Sequence, residues 1–164
     1  MALRSDTYYR DLAATAVRQA GVEEPPVSIP LVAARLGVPI VETPMPPWFT
    51  SALIYEDGMP AILLNSSREP HIQVAGLGHA LGHLLLVIDD SSVGYPKDGL
   101  TYHRDADLVA EELETPSFMV IDQAQKWFND YRYLARLFGV SEKRMLEKMG
   151  ALGIIKNRGL MWDY

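Results

Sequence analysis

Apolar positions divide the chain into stretches of helical and of strand period. Residues 5 to 20 place Leu12, Ala13, Ala16, Val17 and Ala20 on one helical face, and Gly21 is a natural stop. Glu24-Pro25-Pro26-Val27-Ser28 makes a stiff connector. Pro30 to Leu36 predicts a short second helix, with Pro near its start and Gly37 at its end. Val38 to Glu42 reads as a strand. Ser51 to Tyr55 and Ala61 to Asn65 are two apolar runs around Asp57-Gly58, a hairpin signal. The prolines of Thr43 to Trp48 exclude both element types, so this stretch is a loop on the surface or at a cleft edge. Trp48 there reads either as a lid or as a hydrophobic plug.

In the second half, residues 72 to 88 are almost continuously apolar and predict a helix starting near Pro70. Asp89 to Arg104, with Gly94, Pro96 and Gly99, reads as a long loop of the kind that is usually functional. Asp105 to Leu113 is helical, and Pro116 ends it. A helical pattern resumes over 117 to 138, anchored by Phe118, Ile121, Trp127, Phe128, Tyr131, Leu134, Ala135 and Phe138, and Gly139 closes it. Ser141 caps a last helix over Glu142 to Met149. Together these elements predict an α+β fold: a small, mostly antiparallel sheet packed on several helices, with the 72–88 helix at its centre. They fit one domain over residues 1–155, its C-terminal helical part spanning about 120–155, followed by a tail over 156–164.

Composition narrows the partners. The chain has 164 residues, 48% of them hydrophobic, enough for a core. Net charge is −6 with both signs interspersed, which argues against a direct nucleic-acid partner. With no cysteine, disulfides and thiolate metal sites are excluded, and a metal would need His and carboxylate ligands. The first ten residues hold no apolar signal region, and the longest uninterrupted apolar run, Leu84 to Ile88, is too short for a bilayer. The expectation is a cytoplasmic protein with no membrane partner.

The candidate chemistry lies in the central helix. His79 and His83, one turn apart, share a helix face and can grip one zinc ion. In the H-E-x-x-H motif the Glu after the first His is the general base. Here that residue is Ala80, so the ligands are kept and the base is missing. The third ligand must come from elsewhere, and Asp105, Asp107, Glu111, Glu112 and Glu114 are the downstream carboxylates. His103, in Thr-Tyr-His-Arg-Asp, is a further catalytic candidate as a proton donor or transition-state stabiliser, against the plainer reading of a surface-loop His. Gly76, Gly78 and Gly82 weaken the helix, in exchange for tight packing or for space near the metal.

The order of short phrases resembles the ImmA/IrrE metallo-endopeptidases. Those chains run from a small helix through a strand pair ending in Asn to A-H-E-x-G-H, then E-x-E-A-N-x-F-A, and close near V-S…R-L-x-x-L-G. This chain has Ile62-Leu63-Leu64-Asn65, Gly78-His79-Ala80-Leu81-Gly82-His83, Glu112-Leu113-Glu114-Thr115-Pro116-Ser117-Phe118-Met119, and Phe138-Gly139-Val140-Ser141 leading to Met149-Gly150-Ala151-Leu152-Gly153. The resemblance implies a zincin-like core with zinc held by His79, His83 and Glu112, and attack of activated water on a peptide carbonyl. It implies a protein or peptide substrate, characteristically a helix-turn-helix repressor. Departures are Ala80 for the base, Ala75 and Gly76 for the usual Phe-Thr, Pro116 for a supporting Asn or Asp, and Met119 for Ala. Loss of a positioned base costs roughly 10²–10⁴ in rate. Glu111 or Glu114 is a candidate replacement. The expectation is therefore an impaired or inactive zinc peptidase. The alternative is a non-catalytic pseudoprotease holding a regulator or antitoxin peptide in the old cleft.

Overall fold

A computed structural model of the chain describes residues 5–90 and 99–155. Among them the order is α1 (Asp6–Gln19), α2 (Ile29–Arg35), β1 (Ile40–Thr43), β2 (Ser51–Glu56), β3 (Met59–Asn65), α3 (Pro70–Asp90), α4 (Gly99–Glu114), α5 (Ser117–Lys126), α6 (Tyr131–Phe138) and α7 (Glu142–Ala151). This is the expected α+β architecture. Residues 156–164, the expected tail, lie outside the described set.

The apolar faces read from the sequence point inward. Tyr9, Ala13, Ala16 and Val17 of α1 are buried, and Ser28 caps α2 by accepting from the Leu31 N–H. The sheet is mixed rather than mostly antiparallel: β3 lies in the middle, antiparallel to β2 and parallel to β1. The β2–β3 hairpin turns through Asp57 and Gly58, at φ 51° and 79°. Two successive positive φ values match the twist of paired strands, which is why Asp-Gly marks such turns. The parallel ladder arises because the proline loop carries the chain across the end of the sheet, so β1 and β2 flank β3 from opposite sides.

Helix α3 is the axis of the fold. Leu77, Leu81, Leu84 and Leu86 are fully buried, with sheet and helices packed around them. Over Pro70–Ile88 it is long and apolar enough to cross a membrane by length and composition, which the short run Leu84 to Ile88 does not reveal; half of that stretch is buried inside the fold. Its tightest neighbour is α4. A Cβ on Gly82 would lie 2.5 Å from the Ala106 carbonyl oxygen, and one on Gly78 would meet the Ala110 methyl at 3.6 Å. Gly82 is therefore required by a close helix crossing.

Two boundaries differ from the sequence reading. Helix α4 begins at Gly99, so residues 99–104 are helical rather than loop. Leu100 to Arg104 hold no helix breaker, and the loop signals Gly94 and Pro96 lie earlier. The continuous pattern over 117–138 is in fact two helices. Phe128 and Asn129 take left-handed φ values of 54° and 59°, and Asp130 caps α6 by accepting from the Tyr133 N–H. Asn tolerates that backbone region and Asp is a strong cap, while apolar spacing carries on unbroken across the turn.

Candidate metal centre

Helix α3 projects His79 and His83 from successive turns, and α4 brings His103 against them. His79 Nε2 lies 2.9 Å from His83 Nε2, and His103 Nδ1 lies 3.1 Å from each. These are nearly the edges of an equilateral triangle. Three imidazole nitrogens around tetrahedral zinc, at about 2.0–2.1 Å each, would sit roughly 3.3–3.4 Å apart. The triangle is thus slightly tighter than a zinc face and of the right shape.

The hydrogen bonding supports the same fit. His79 Nδ1 is 2.6 Å from Asp107 Oδ1. With the ring N–H donated to that carboxylate, Nε2 keeps its lone pair and faces the other two imidazoles. Carboxylate, imidazole and open nitrogen in line are the usual support of a metal-bound His. Burial pushes the His83 imidazole down to about 4, aided by the neighbouring His79 and His103 and opposed by Asp107. His83 is therefore neutral at ordinary pH, the form that ligates.

The remaining sequence candidates do not join the three imidazoles. Ala80 is 2% exposed and packs in the hydrophobic core. Glu112 does not join the imidazoles. Its carboxylate accepts from the Ser117 backbone N–H at 3.1 and 3.2 Å, from the Ser117 hydroxyl, and from Lys148 Nζ at 2.6 Å. The reason is helical phase: nine residues at about 100° each put Glu112 on the face of α4 opposite His103. Glu114 pairs with Arg144 at 2.5 Å, and Glu111 lines a cavity of about 510 Å³ shared with Lys148 and Arg10. Neither has the position of a replacement base. Asp105 is buried with Arg104 4.0 Å away.

A family model for the IrrE N-terminal-like domain of peptidase family M78 matches residues 33–149. The chain belongs to the peptidase M78 family. Among solved structures it is similar to a Mycobacterium tuberculosis transcriptional regulator, at 16% identity and a TM-score of 0.60. That likeness covers 93% of this chain and 49% of the other, so the chain spans about half the length of that relative. No curated protein matches.

The geometry suits a second register of the phrase E-x-E-A-N-x-F-A. Moved nine residues earlier, it falls on His103-Arg104-Asp105-Ala106-Asp107-Leu108-Val109-Ala110. Asp replaces the second Glu and the Asn, Val replaces Phe, and both alanines stay. Those alanines are the residues against Gly82 and Gly78. His103 then occupies the first Glu position. This is the signal that could have found the third imidazole from sequence; the literal glutamates at 112 and 114 obscure it.

Beside the imidazoles runs the outer edge of β2, which pairs with no strand among the described residues. The Ser51 hydroxyl donates to the Gly76 carbonyl at 2.8 Å, fastening the start of β2 to α3. Asn65, fully buried at the end of β3, holds the proline loop: it accepts from the Met45 N–H and donates to the carbonyls of Met45, Pro46 and Phe49. Arg68 donates to the Pro47 carbonyl at 2.6 Å. The loop so fixed presents Trp48 at 80% exposure, which discards the plug reading.

Proposed function

We propose that this M78-family domain binds zinc through His79, His83 and His103 and uses the groove beside β2 to hold an extended peptide of a regulatory protein, with hydrolysis impaired. The observation that carries the reading is the convergence of three imidazole nitrogens 2.9–3.1 Å apart. Neutral nitrogens at that distance repel unless protons or a cation lie between them, and the His79 N–H is turned to Asp107. The set is all-nitrogen and fits zinc. Zinc supplies Lewis acidity, polarising a carbonyl and acidifying water.

The chain's own residues set the rest. Asp107 fixes the His79 tautomer. The β2 edge, unpaired among the described residues, offers N–H and C=O groups to an extended segment, a recognition mode that takes its affinity from main-chain hydrogen bonds. Position 80 offers a methyl group where a carboxylate would take the proton from attacking water, and this removes about 10²–10⁴ of rate. The reading gives a slow peptidase or a holding protein. Its family resemblance suggests a helix-turn-helix repressor or antitoxin as the bound protein, in the cytoplasm.

The test is metal content together with restoration of the base. The purified chain, loaded with zinc and dialysed, should retain one zinc per chain. Ala80→Glu should then cleave a regulator encoded beside it at least about 100-fold faster than the parent. Failure to retain zinc overturns the metal reading. Zinc retention with no cleavage by Ala80→Glu leaves a peptide-holding domain and removes the peptidase reading.

A further inference from the structure

A pocket of about 370 Å³ opens on α3 immediately before His79. It is lined by Ile72, Ala75 and Gly76 of α3 and by Thr50 and Ser51 where the chain enters β2. His71 stands at the far end, two helical turns from His79. Among the described residues no Asp, Glu, Lys or Arg lines it. The volume lies at the low end for ligand sites, enough for one side chain rather than a whole small-molecule ligand.

The walls are held in place. A Cβ on Gly76 would lie 2.6 Å from Thr50 Cγ2 and 3.1 Å from Ser51 Oγ. Only Gly lets β2 approach this closely, and the Ser51–Gly76 hydrogen bond locks the approach. Ala75 is exposed on the groove side. The resembling family has Phe at this position, a side chain large enough to fill the space. Here a methyl group leaves it open.

From this we infer that Ala75 and Gly76 form a specificity pocket for one bulky apolar side chain, aromatic or long aliphatic, of a peptide laid along β2 with its backbone at the imidazole cluster. The inference rests on the peptide-binding reading above. The apolar wall of Ile72, Ala75 and Gly76 favours an apolar group over Asp, Glu, Lys and Arg, whose charge would lose water against it. A small side chain would leave the pocket wet and gain little. Burying a Phe- or Leu-sized group is worth about 10- to 100-fold in affinity.

The experiment uses the zinc-loaded chain and short peptide hydroxamates that differ at one residue: Phe, Leu, Ala, Asp or Lys. The hydroxamate anchors each probe at the metal, and binding is read by calorimetry with no turnover required. Phe and Leu probes should bind about 10- to 100-fold tighter than Ala, Asp or Lys. Ala75→Phe should shrink that preference to within about threefold, with zinc stoichiometry and thermal unfolding unchanged. Ala75→Leu, a smaller filling, should give an intermediate preference. Equal affinities in the parent, or an undiminished preference in folded, zinc-loaded Ala75→Phe, would overturn the pocket and leave the metal reading intact. A parent chain that holds no zinc overturns both.

Discussion

The two faces of α4 carry charged and polar clusters of opposite kinds. On the face toward α3, His103 meets His79 and His83, three nitrogens that can each accept and that crowd one point in space. On the other face, Glu112 is 1% exposed, its carboxylate served by two donors of Ser117 and by Lys148. A carboxylate so supplied is internally balanced and has little left to offer a ligand. The three imidazole nitrogens are balanced only by protons or a cation shared among them. Formal charge is therefore a poor guide to which residue joins the cluster: the carboxylate is held by Ser117 and Lys148, and the imidazole meets His79 and His83.

The largest effect that would break this contrast lies in metal retention. His103→Ala should lose stoichiometric zinc after dialysis, because two imidazoles are too few for a stable site. Glu112→Gln should keep zinc at the parent's level, since its side chain faces the other way. Elemental analysis of the two variants decides it. Zinc kept by His103→Ala and lost by Glu112→Gln would return the third ligand to the glutamate.

The second effect lies in folding. Lys148→Ala leaves the buried Glu112 charge without its cation, and breaking a buried pair from one side costs about 3–5 kcal/mol. Urea unfolding of the metal-free chain should show a loss of that size, with zinc affinity of the folded variant near the parent's. Burial pushes the Lys148 ammonium below its usual range, and Glu112 pulls it back. Lys148→Met therefore sharpens the point: it keeps the packing and loses only the charge, and it should destabilise nearly as much. A loss well under 1 kcal/mol in both would mean the pair is not closed as it stands.

The contrast also explains what was legible in the chain. The His79–His83 pair could be read because its meaning is local, being one helical turn. The hairpin could be read because Asp57 and Gly58 accept positive φ. The α1 face could be read from period, and α7 from its Ser141 cap. His103 was visible only as a loop residue, because Gly94, Pro96 and Gly99 extend the apparent loop over the first turns of α4. Its partnership with α3 depends on the phase of α4 against a neighbouring helix, and that phase is set by Gly82 under Ala106, a contact with no signature at either position alone. Glu112 reads as a ligand for the same reason: its letter fits the family phrase, while its phase turns it to Ser117 and Lys148. The break between α5 and α6 was hidden because the apolar spacing runs straight through Phe128.

The smallest effect separates the two faces by pH. His83 falls to about 4 in the fold from an ordinary value near 6.5, with burial as the main cause, His79 and His103 adding to it and Asp107 opposing. Between those values the unfolded chain takes up a proton that the folded chain refuses. Stability of the metal-free protein should therefore hold above about pH 6.5 and decline as pH falls toward 4. Denaturant midpoints of the parent and of His83→Gln across this range measure the difference, and the variant should show the shallower decline. The Glu112 face acts as the internal control once both partners are removed: a Glu112→Gln, Lys148→Met chain should keep the parent's slope between pH 4 and 6.5, because the lost pair lies across α4 from His83. If His83→Gln and the parent declined in parallel, the acid sensitivity would belong to the carboxylates, and the imidazole cluster would have to be protonated and spread apart in the folded chain.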